Sequence, residues 1–132
     1  MKYLLDTNIC IYWLKGNKHV ERRIQSAGID NIALSFISVS ELFYGAYKSQ
    51  RLEPNLAMIR ELTSMLTVFE SDEAINEAFG NLKASLETAG LPIDDADIFI
   101  AACAQIHGLT LVTNNAKHFR RIKGLKLDNW ME

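Results

Sequence analysis

The sequence of 132 residues has two cysteines, no long apolar segment and almost no excess of either charge. Cys10 and Cys103 form no CxxC pair and have no nearby histidine, which excludes the usual zinc and disulfide patterns. The longest apolar run covers residues 98–104, far short of the ~20 residues that a membrane helix needs. Asp6 also interrupts the apolar stretch that a secretory signal requires. We therefore expect a cytoplasmic protein with two buried thiols and no contact with a membrane.

The charge balance, 16 acidic against 14 basic residues, excludes binding of nucleic acid by bulk positive charge. Any contact with a polyanion must come from a local cluster of bases. The two prolines, Pro54 and Pro92, lie between periodic segments, and no linker or repeat interrupts the chain. Length and composition thus predict a single domain over residues 1–132.

Short apolar runs alternate with segments of helical periodicity. The predicted strands cover residues 2–5, 31–35, 66–69, 109–113 and 127–129. The predicted helices cover residues 8–14, 19–27, 38–48, 55–66, 72–89 and 94–107. Ser71 is a good N-cap for the fifth helix and Gly90 a good stop. This alternation predicts an α/β fold in which helices cover both faces of a parallel sheet.

Three acidic residues fall where such a fold gathers side chains. Asp6 follows the first predicted strand, Glu41 lies in the first turn of the helix after residues 31–35, and Asp97 lies in the first turn of the helix leading into residues 109–113. Helix starts and strand ends share the carboxyl edge of a parallel sheet, where ligands bind. We expect all three carboxylates at that edge.

Each acid also has a structural explanation. Ser38 and Glu41 have the spacing of a capping box, Asp97 can serve the dipole of a helix that Asp94 caps, and Asp6 can cap the helix that follows it. The convergence of the three favours a site, because capping acids from distant segments have no need to share an edge.

Three carboxylates in one cleft repel each other and require a compensating cation. Oxygen ligands without histidine or thiolate select hard ions such as Mg²⁺ or Mn²⁺, and Mg²⁺ commonly completes its shell with phosphate oxygens. The three acids therefore indicate phosphate-ester chemistry, in which a metal activates water and no nucleophilic side chain is needed.

Four segments carry a family resemblance. They are Leu-Leu-Asp-Thr-Asn-Ile at 4–9, Ser-Glu-Leu-Phe-Tyr-Gly-Ala at 40–46, Asp-Ile-Phe-Ile-Ala-Ala at 97–102 and Leu-Val-Thr-Asn-Asn at 111–115, together with Phe119 and a closing Asn129-Trp130. In this order and spacing they resemble the VapC-type toxins of the PIN-domain ribonucleases, nearly from end to end.

The resemblance implies an α/β/α sandwich, usually dimeric, that acts as a metal-dependent endoribonuclease in a toxin–antitoxin pair. On this analogy Asp6, Glu41 and Asp97 hold Mg²⁺. Many relatives carry a fourth acid in the loop after the fourth strand, where this sequence has Asn114, Asn115 and His118. There Asn115 is placed to hydrogen-bond a metal-bound water and His118 to contact a phosphate, and neither supplies negative charge.

A short basic stretch follows this loop and is a candidate track for RNA phosphates. Its leading members are Lys117, Arg120 and Arg121, and it continues to Lys126. The alternative is an ordinary solvated surface, because Ile122 and Leu125 interleave with the bases.

Large aromatic and aliphatic residues also gather on two predicted helices. These residues are Ile9, Tyr12, Trp13, Phe43, Tyr44 and Tyr47. By resemblance they predict a groove for the C-terminal tail of a VapB-like antitoxin, with a basic side chain of the tail reaching the carboxylates. A second patch of this kind would form a homodimer.

Two other functions stay open on the sequence alone. A PIN domain without its fourth acid could bind RNA or a protein without cutting. A phosphotransfer enzyme or receiver domain also carries an aspartate at a strand end, but Asn8 stands where the haloacid-dehalogenase pattern needs a second acid.

Overall fold

A five-stranded sheet forms the centre of the molecule, in a computed structural model that describes residues 1–131. Its strands are β1 (Tyr3–Leu5), β2 (Ile32–Ser35), β3 (Thr67–Phe69), β4 (Thr110–Val112) and β5 (Leu127–Asp128). They pair in the order β3-β2-β1-β4-β5, and every pairing is parallel. The five predicted strands and the parallel sheet are thereby confirmed.

Seven helices connect the strands within the described residues. They are α1 (Thr7–Leu14), α2 (Lys18–Ala27), α3 (Phe36–Lys48), α4 (Leu52–Met65), α5 (Glu73–Thr88), α6 (Asp95–Ile106) and the short α7 (Ala116–Phe119), and a 3-10 turn covers Ile29–Asn31. Each of the six predicted helices is present, with ends displaced by up to three residues. The 3-10 turn and α7 were not predicted, because each is too short for a periodic pattern to emerge.

The strands divide the core into two layers because neighbouring side chains point to opposite faces of the sheet. Leu5 and Leu34 pack on one face with α1 to α4, and Leu4 and Ala33 pack on the other with α5 and α6. Helices therefore cover both faces, which confirms the predicted α/β/α sandwich.

The last strand is held to the first of these layers. Trp130 is fully buried, and its ring packs edge-on against Tyr3. Its indole nitrogen donates to Asp128, which also pairs with Arg23 on α2 at 2.8 Å. Trp130 thereby anchors the end of the sheet in the core.

Helix α3 begins earlier than predicted, and the proposed capping box is wrong. Ser35 is the N-cap, with its hydroxyl accepting from the Ser38 amide at 3.2 Å. Ser38 is consequently inside the helix, and Glu41 lies beyond the first turn rather than in it. Glu41 is therefore not a capping acid.

Two other predicted helix starts need correction. Asp72, not Ser71, caps α5, because the Asp72 side chain accepts from the amide of Ile75. Pro54 does not separate two segments, since α4 begins at Leu52 and contains Pro54 in its first turn, where a missing amide hydrogen costs nothing. Asp94 occupies the N-cap position of α6 without a capping hydrogen bond from its side chain.

None of the helices formed by residues 1–131 combines the length and the apolar character that a membrane span requires.

Candidate active site

The candidate site lies at the carboxyl ends of β1 and β4. The chain runs from the central strand β1 first to β2 and β3 on one side, and only later to β4 and β5 on the other. This reversal opens a crevice at the carboxyl edge between β1 and β4, the position at which open α/β sheets bind their ligands. Asp6 follows β1 and Thr113 follows β4, so both residues border the crevice.

Asp6 is fixed by two hydrogen bonds and is almost entirely buried, with 5% of its surface exposed. Its Oδ1 accepts from the Thr7 amide at 2.8 Å, and its Oδ2 accepts from the Thr113 hydroxyl at 2.8 Å. Burial raises the pKa of this carboxyl above its usual value, the two hydrogen bonds oppose the rise, and the charge of Glu41 adds to it. Asp6 is thus a rigid carboxylate in a place that disfavours its charge.

Glu41 reaches the same edge from α3. The Thr7 hydroxyl donates to Glu41 Oε1 at 2.6 Å and lies 3.0 Å from the Ser38 hydroxyl. Thr7 therefore touches both acids, through its amide to Asp6 and through its hydroxyl to Glu41. Sequence analysis missed this role because a threonine between an aspartate and a helix is typical of ordinary capping.

Asp97 lies in the first turn of α6, as predicted. Its pKa is raised to about 6, first by burial and then by the charges of Asp6, Asp94 and Glu41. The charges of Asp6 and Glu41, two of the three predicted acids, therefore act on the ionisation of the third, Asp97. Among residues 1–131, however, no three acidic, histidine or cysteine side chains are already arranged to surround one ion, and the Glu41 carboxylate is instead engaged with Thr7.

The chemistry of these donors fits a divalent cation. Burial and neighbouring carboxylates raise the pKa values of both Asp6 and Asp97, so the crevice concentrates negative charge in a partly buried place. The available ligands are carboxylate and hydroxyl oxygens, the set that Mg²⁺ and Mn²⁺ prefer. A cation bound between Asp6, Glu41 and Asp97 would relieve their repulsion.

The loop after β4 extends the site. The Asn115 backbone N–H donates to the Thr113 hydroxyl at 2.9 Å. The side-chain nitrogen of Asn115 contacts His118 Nδ1 at 3.0 Å. Hydrogen bonds therefore lead from Asp6 through Thr113 and Asn115 to His118.

The predicted basic track is only partly free. Lys117 and Arg120 are exposed on and just after α7. Arg121 is half-buried and donates to the Pro92 carbonyl at 2.8 Å. Part of its hydrogen-bonding capacity therefore ties α7 to the loop before α6.

The residues predicted to form an aromatic groove differ in how far they are exposed. Ile9 is fully buried against the sheet and is wrong as a groove residue. Tyr12, Trp13 and Phe43 are partly buried against the core. Tyr44 and Tyr47 are 65% and 67% exposed and do not line the groove between α1, α3 and α4.

The observed groove runs between α1, α3 and α4 and has a volume of about 370 Å³. Its apolar lining includes Ile11 and Leu14 from α1, Ala46 from α3 and Ile59 from α4, and Glu41 also lines it. The spacing of Ile11 and Leu14 places both on one face of α1. That signal was overlooked because the larger aromatic residues dominated the pattern.

Comparison with known proteins agrees with this architecture. The PIN domain family model matches residues 3–125. The chain is 42% identical to "Ribonuclease VapC2" of Haemophilus influenzae over 99% of both chains, and 37% identical to "tRNA(fMet)-specific endonuclease VapC" of Shigella flexneri over 98% of both. The crystal structure of DNA-bound VapBC from Salmonella typhimurium superposes with a TM-score of 0.93 at 36% identity, covering 98% of both chains. The chain therefore belongs to the PIN-domain family and, within it, to the VapC ribonucleases.

Proposed function

We propose that this protein is the toxin of a toxin–antitoxin pair and cuts RNA as a Mg²⁺-dependent endoribonuclease. The observation that carries the proposal is the electrostatic coupling of Asp6, Glu41 and Asp97 at the carboxyl edge of the sheet. Beyond the effect of burial, the charge of Glu41 raises the pKa of Asp6, and the charges of Asp6 and Glu41 raise the pKa of Asp97. Such an arrangement destabilises a fold unless the site serves a cation.

The three carboxylates hold the cation, with Mn²⁺ as an alternative to Mg²⁺. When bound, the ion supplies positive charge that activates water and offsets charge on the phosphodiester. Thr7 and Thr113 keep Asp6 in place, and Thr7 also holds Glu41 at the edge. Asn115 donates through its amide nitrogen to His118, so its carbonyl oxygen is available to orient a water.

A structured RNA loop is the substrate class that we favour, because sequence-selective proteins read unpaired bases there. The relatives from Shigella flexneri and Salmonella typhimurium carry the name tRNA(fMet)-specific endonuclease. Initiator tRNA is therefore the first RNA to test. The exposed Lys117 and Arg120 supply local positive charge beside the site, and Arg121 contributes what its bond to Pro92 leaves free.

We assign the partner site to the groove between α1, α3 and α4. The Salmonella structure is a VapBC complex, which supports a VapB-like antitoxin as the partner. An apolar segment of the antitoxin fits the lining formed by Ile11, Leu14 and Ile59. A basic side chain of that segment would reach Glu41 in the same lining and compete with the cation.

A homodimer is the assembly that we propose, through an aromatic surface beside α3. Phe36 packs edge-on against Phe99 with ring centres 5.6 Å apart, and Phe99 stacks on Phe79 at 4.0 Å. The exposed Tyr44 and Tyr47 continue along α3 from Phe36. Light scattering is expected to give a dimer mass for the natural protein and a monomer mass after Tyr44→Arg and Tyr47→Arg together.

Cleavage of RNA tests the catalytic proposal. The natural protein is expected to cut initiator tRNA with Mg²⁺ and not with EDTA, leaving a 5′-phosphate and a 3′-hydroxyl. Asp97→Asn is expected to abolish cutting. Asp95→Asn is the matched control, because Asp95 lies two residues away on α6 and pairs with Lys83 outside the acid cluster at 2.9 Å. Undiminished cutting by Asp97→Asn would refute the assignment.

A second function has one specific observation in its favour. The loop after β4 carries Asn114, Asn115 and His118 and no carboxylate, so this chain could bind RNA or a partner without cutting. Tight RNA binding with no Mg²⁺-dependent cleavage across a tRNA and ribosomal RNA panel would favour this binding module over the nuclease.

A further inference from the structure

His118 stands at the end of a continuous set of hydrogen bonds that begins at the buried carboxylate Asp6. The Thr113 hydroxyl donates to Asp6 at 2.8 Å, and the Asn115 backbone N–H donates to that hydroxyl oxygen at 2.9 Å. The side-chain nitrogen of Asn115 lies 3.0 Å from His118 Nδ1. The exposed imidazole is therefore linked to the buried part of the site rather than left as a free surface side chain.

The contact with Asn115 favours one tautomer of the His118 ring. The Asn115 side-chain nitrogen can only donate a hydrogen bond, so Nδ1 of His118 must accept it. The proton of the neutral ring then resides on Nε2, because the hydrogen bond at one ring nitrogen sets the state of the other. The free group of His118 is an N–H donor with no lone pair to offer a metal ion.

The surroundings of this donor favour an anion. Lys117 precedes His118 in the chain, Arg120 follows two residues later, and both are exposed. A carboxylate at this corner would repel a phosphate, whereas a neutral N–H can donate to a non-bridging phosphate oxygen.

We propose that His118 is a substrate-positioning residue whose Nε2–H hydrogen-bonds an RNA phosphate at the active-site edge. This inference rests on the proposed nuclease function and adds a specific contact to it. Asn115 sets the tautomer and orientation of the ring, and Thr113 ties that pair to Asp6. The contact requires no proton transfer.

Substitutions that mimic one ring nitrogen at a time test the proposal. In His118→Gln the side-chain amide nitrogen can stand in for Nε2–H, in His118→Asn the shorter amide reaches only the position of Nδ1, and in His118→Ala no donor remains. The control is His19→Ala, which removes an exposed histidine on α2.

RNA binding is measured by fluorescence anisotropy with initiator tRNA, in an Asp97→Asn background so that no RNA is cut. Loss of one hydrogen bond to a charged partner is expected to weaken binding about tenfold for Ala and Asn. The RNA affinities of His118→Gln and of the His19→Ala control are expected to stay within about twofold of that of the background protein, a much smaller change than the tenfold loss.

Salt dependence separates a neutral donor from a cation. His118→Ala is expected to leave the slope of log affinity against log salt unchanged, whereas Lys117→Ala is expected to reduce it by about 1. A reduced slope for His118→Ala, or equal loss of affinity for Gln and Ala, would overturn the proposed neutral contact.

Kinetics in the otherwise natural protein distinguish failure of this inference from failure of the nuclease proposal. His118→Ala is expected to raise KM and leave kcat within about twofold, since the donor binds the substrate in the ground state. Mg²⁺-dependent cutting with an unchanged KM in His118→Ala would overturn the role of His118 and leave the nuclease proposal intact. Absence of any cutting by the natural protein would instead overturn the nuclease proposal.

Discussion

Two carboxylates at the site lie where burial disfavours their charged form. Asp97 is half-buried among other acids, and its pKa is raised to about 6. Asp6 is buried but retains two hydrogen bonds that favour its charged form. Sequence analysis could place these acids at one edge. It could not foresee that Thr7 and Thr113 would hold them, because hydroxyl contacts depend on side chains distant in sequence.

Asp97→Asn is expected to stabilise the cation-free protein at pH 7. A carboxyl whose pKa is raised on folding contributes stability below the unfolded value of 3.8 that is lost as the pH rises through about 6. The full shift corresponds to roughly 3 kcal/mol, which solvent screening at this half-exposed group reduces to about 1 kcal/mol.

The melting temperature in EDTA is therefore expected to rise by about 3–5 °C at pH 7 and to change little at pH 4. Asp95→Asn serves as the control at both pH values. A rise of equal size at pH 4 and pH 7 would contradict the electrostatic origin of the effect.

Thr113→Val is expected to destabilise the protein by about 1–3 kcal/mol, because it leaves a buried, charged hydrogen-bond acceptor without its donor. The substitution preserves side-chain shape while removing the hydroxyl that contacts Asp6 and the Asn115 amide. Urea denaturation measures the loss, and unchanged stability would show that Asp6 needs no support from β4.

At the scale of helices and strands, hydrophobic periodicity predicted all five strands and six of the helices, whereas helix starts were less certain. Two serines could each cap the helix that carries Glu41. Ser35 lies three residues before Ser38, and Ser38 lies three residues before Glu41. The pair Ser38 and Glu41 resembles a capping box more closely, yet Ser35 is the N-cap of α3. Strand β2 ends at Ser35 and α3 follows directly, so tertiary structure decided between two locally acceptable caps.

Ser35→Ala is expected to cost about 1 kcal/mol of stability through loss of the N-cap of α3. Ser40→Ala is the control, because Ser40 is exposed and bonds only to the Phe36 carbonyl within the helix. Thermal unfolding compares the two variants. A larger loss for Ser40→Ala would contradict the observed start of α3.

At the scale of the whole molecule, the fold places an apolar groove and an acidic crevice side by side, with Glu41 bordering both. The sequence pattern predicted a groove near α1 and α3. The residues predicted to line it, however, either pack against the core or lie outside the groove lining. Ile9 illustrates the difficulty, because a residue that faces the sheet and one that faces a partner are equally apolar.

Gly45→Leu tests the groove. Gly45 lines the groove, and an added Cβ meets no atom within 4 Å. The variant is therefore expected to fold, with its leucine side chain in the space that the antitoxin would fill. We expect antitoxin affinity to fall more than about tenfold, as when a central interface contact is lost. Gly80→Leu is the control, since Gly80 on α5 is equally open and far from the groove. Equal affinity for both variants in calorimetry would place the antitoxin elsewhere.

The central claim is that Asp6, Glu41 and Asp97 bind one divalent cation together. Titration of Mn²⁺ followed by electron paramagnetic resonance measures this binding directly, without RNA. Asp6→Asn, Glu41→Gln and Asp97→Asn are each expected to weaken Mn²⁺ binding, whereas Asp95→Asn is expected to leave it unchanged. Binding at natural affinity in all three site variants would contradict the claim.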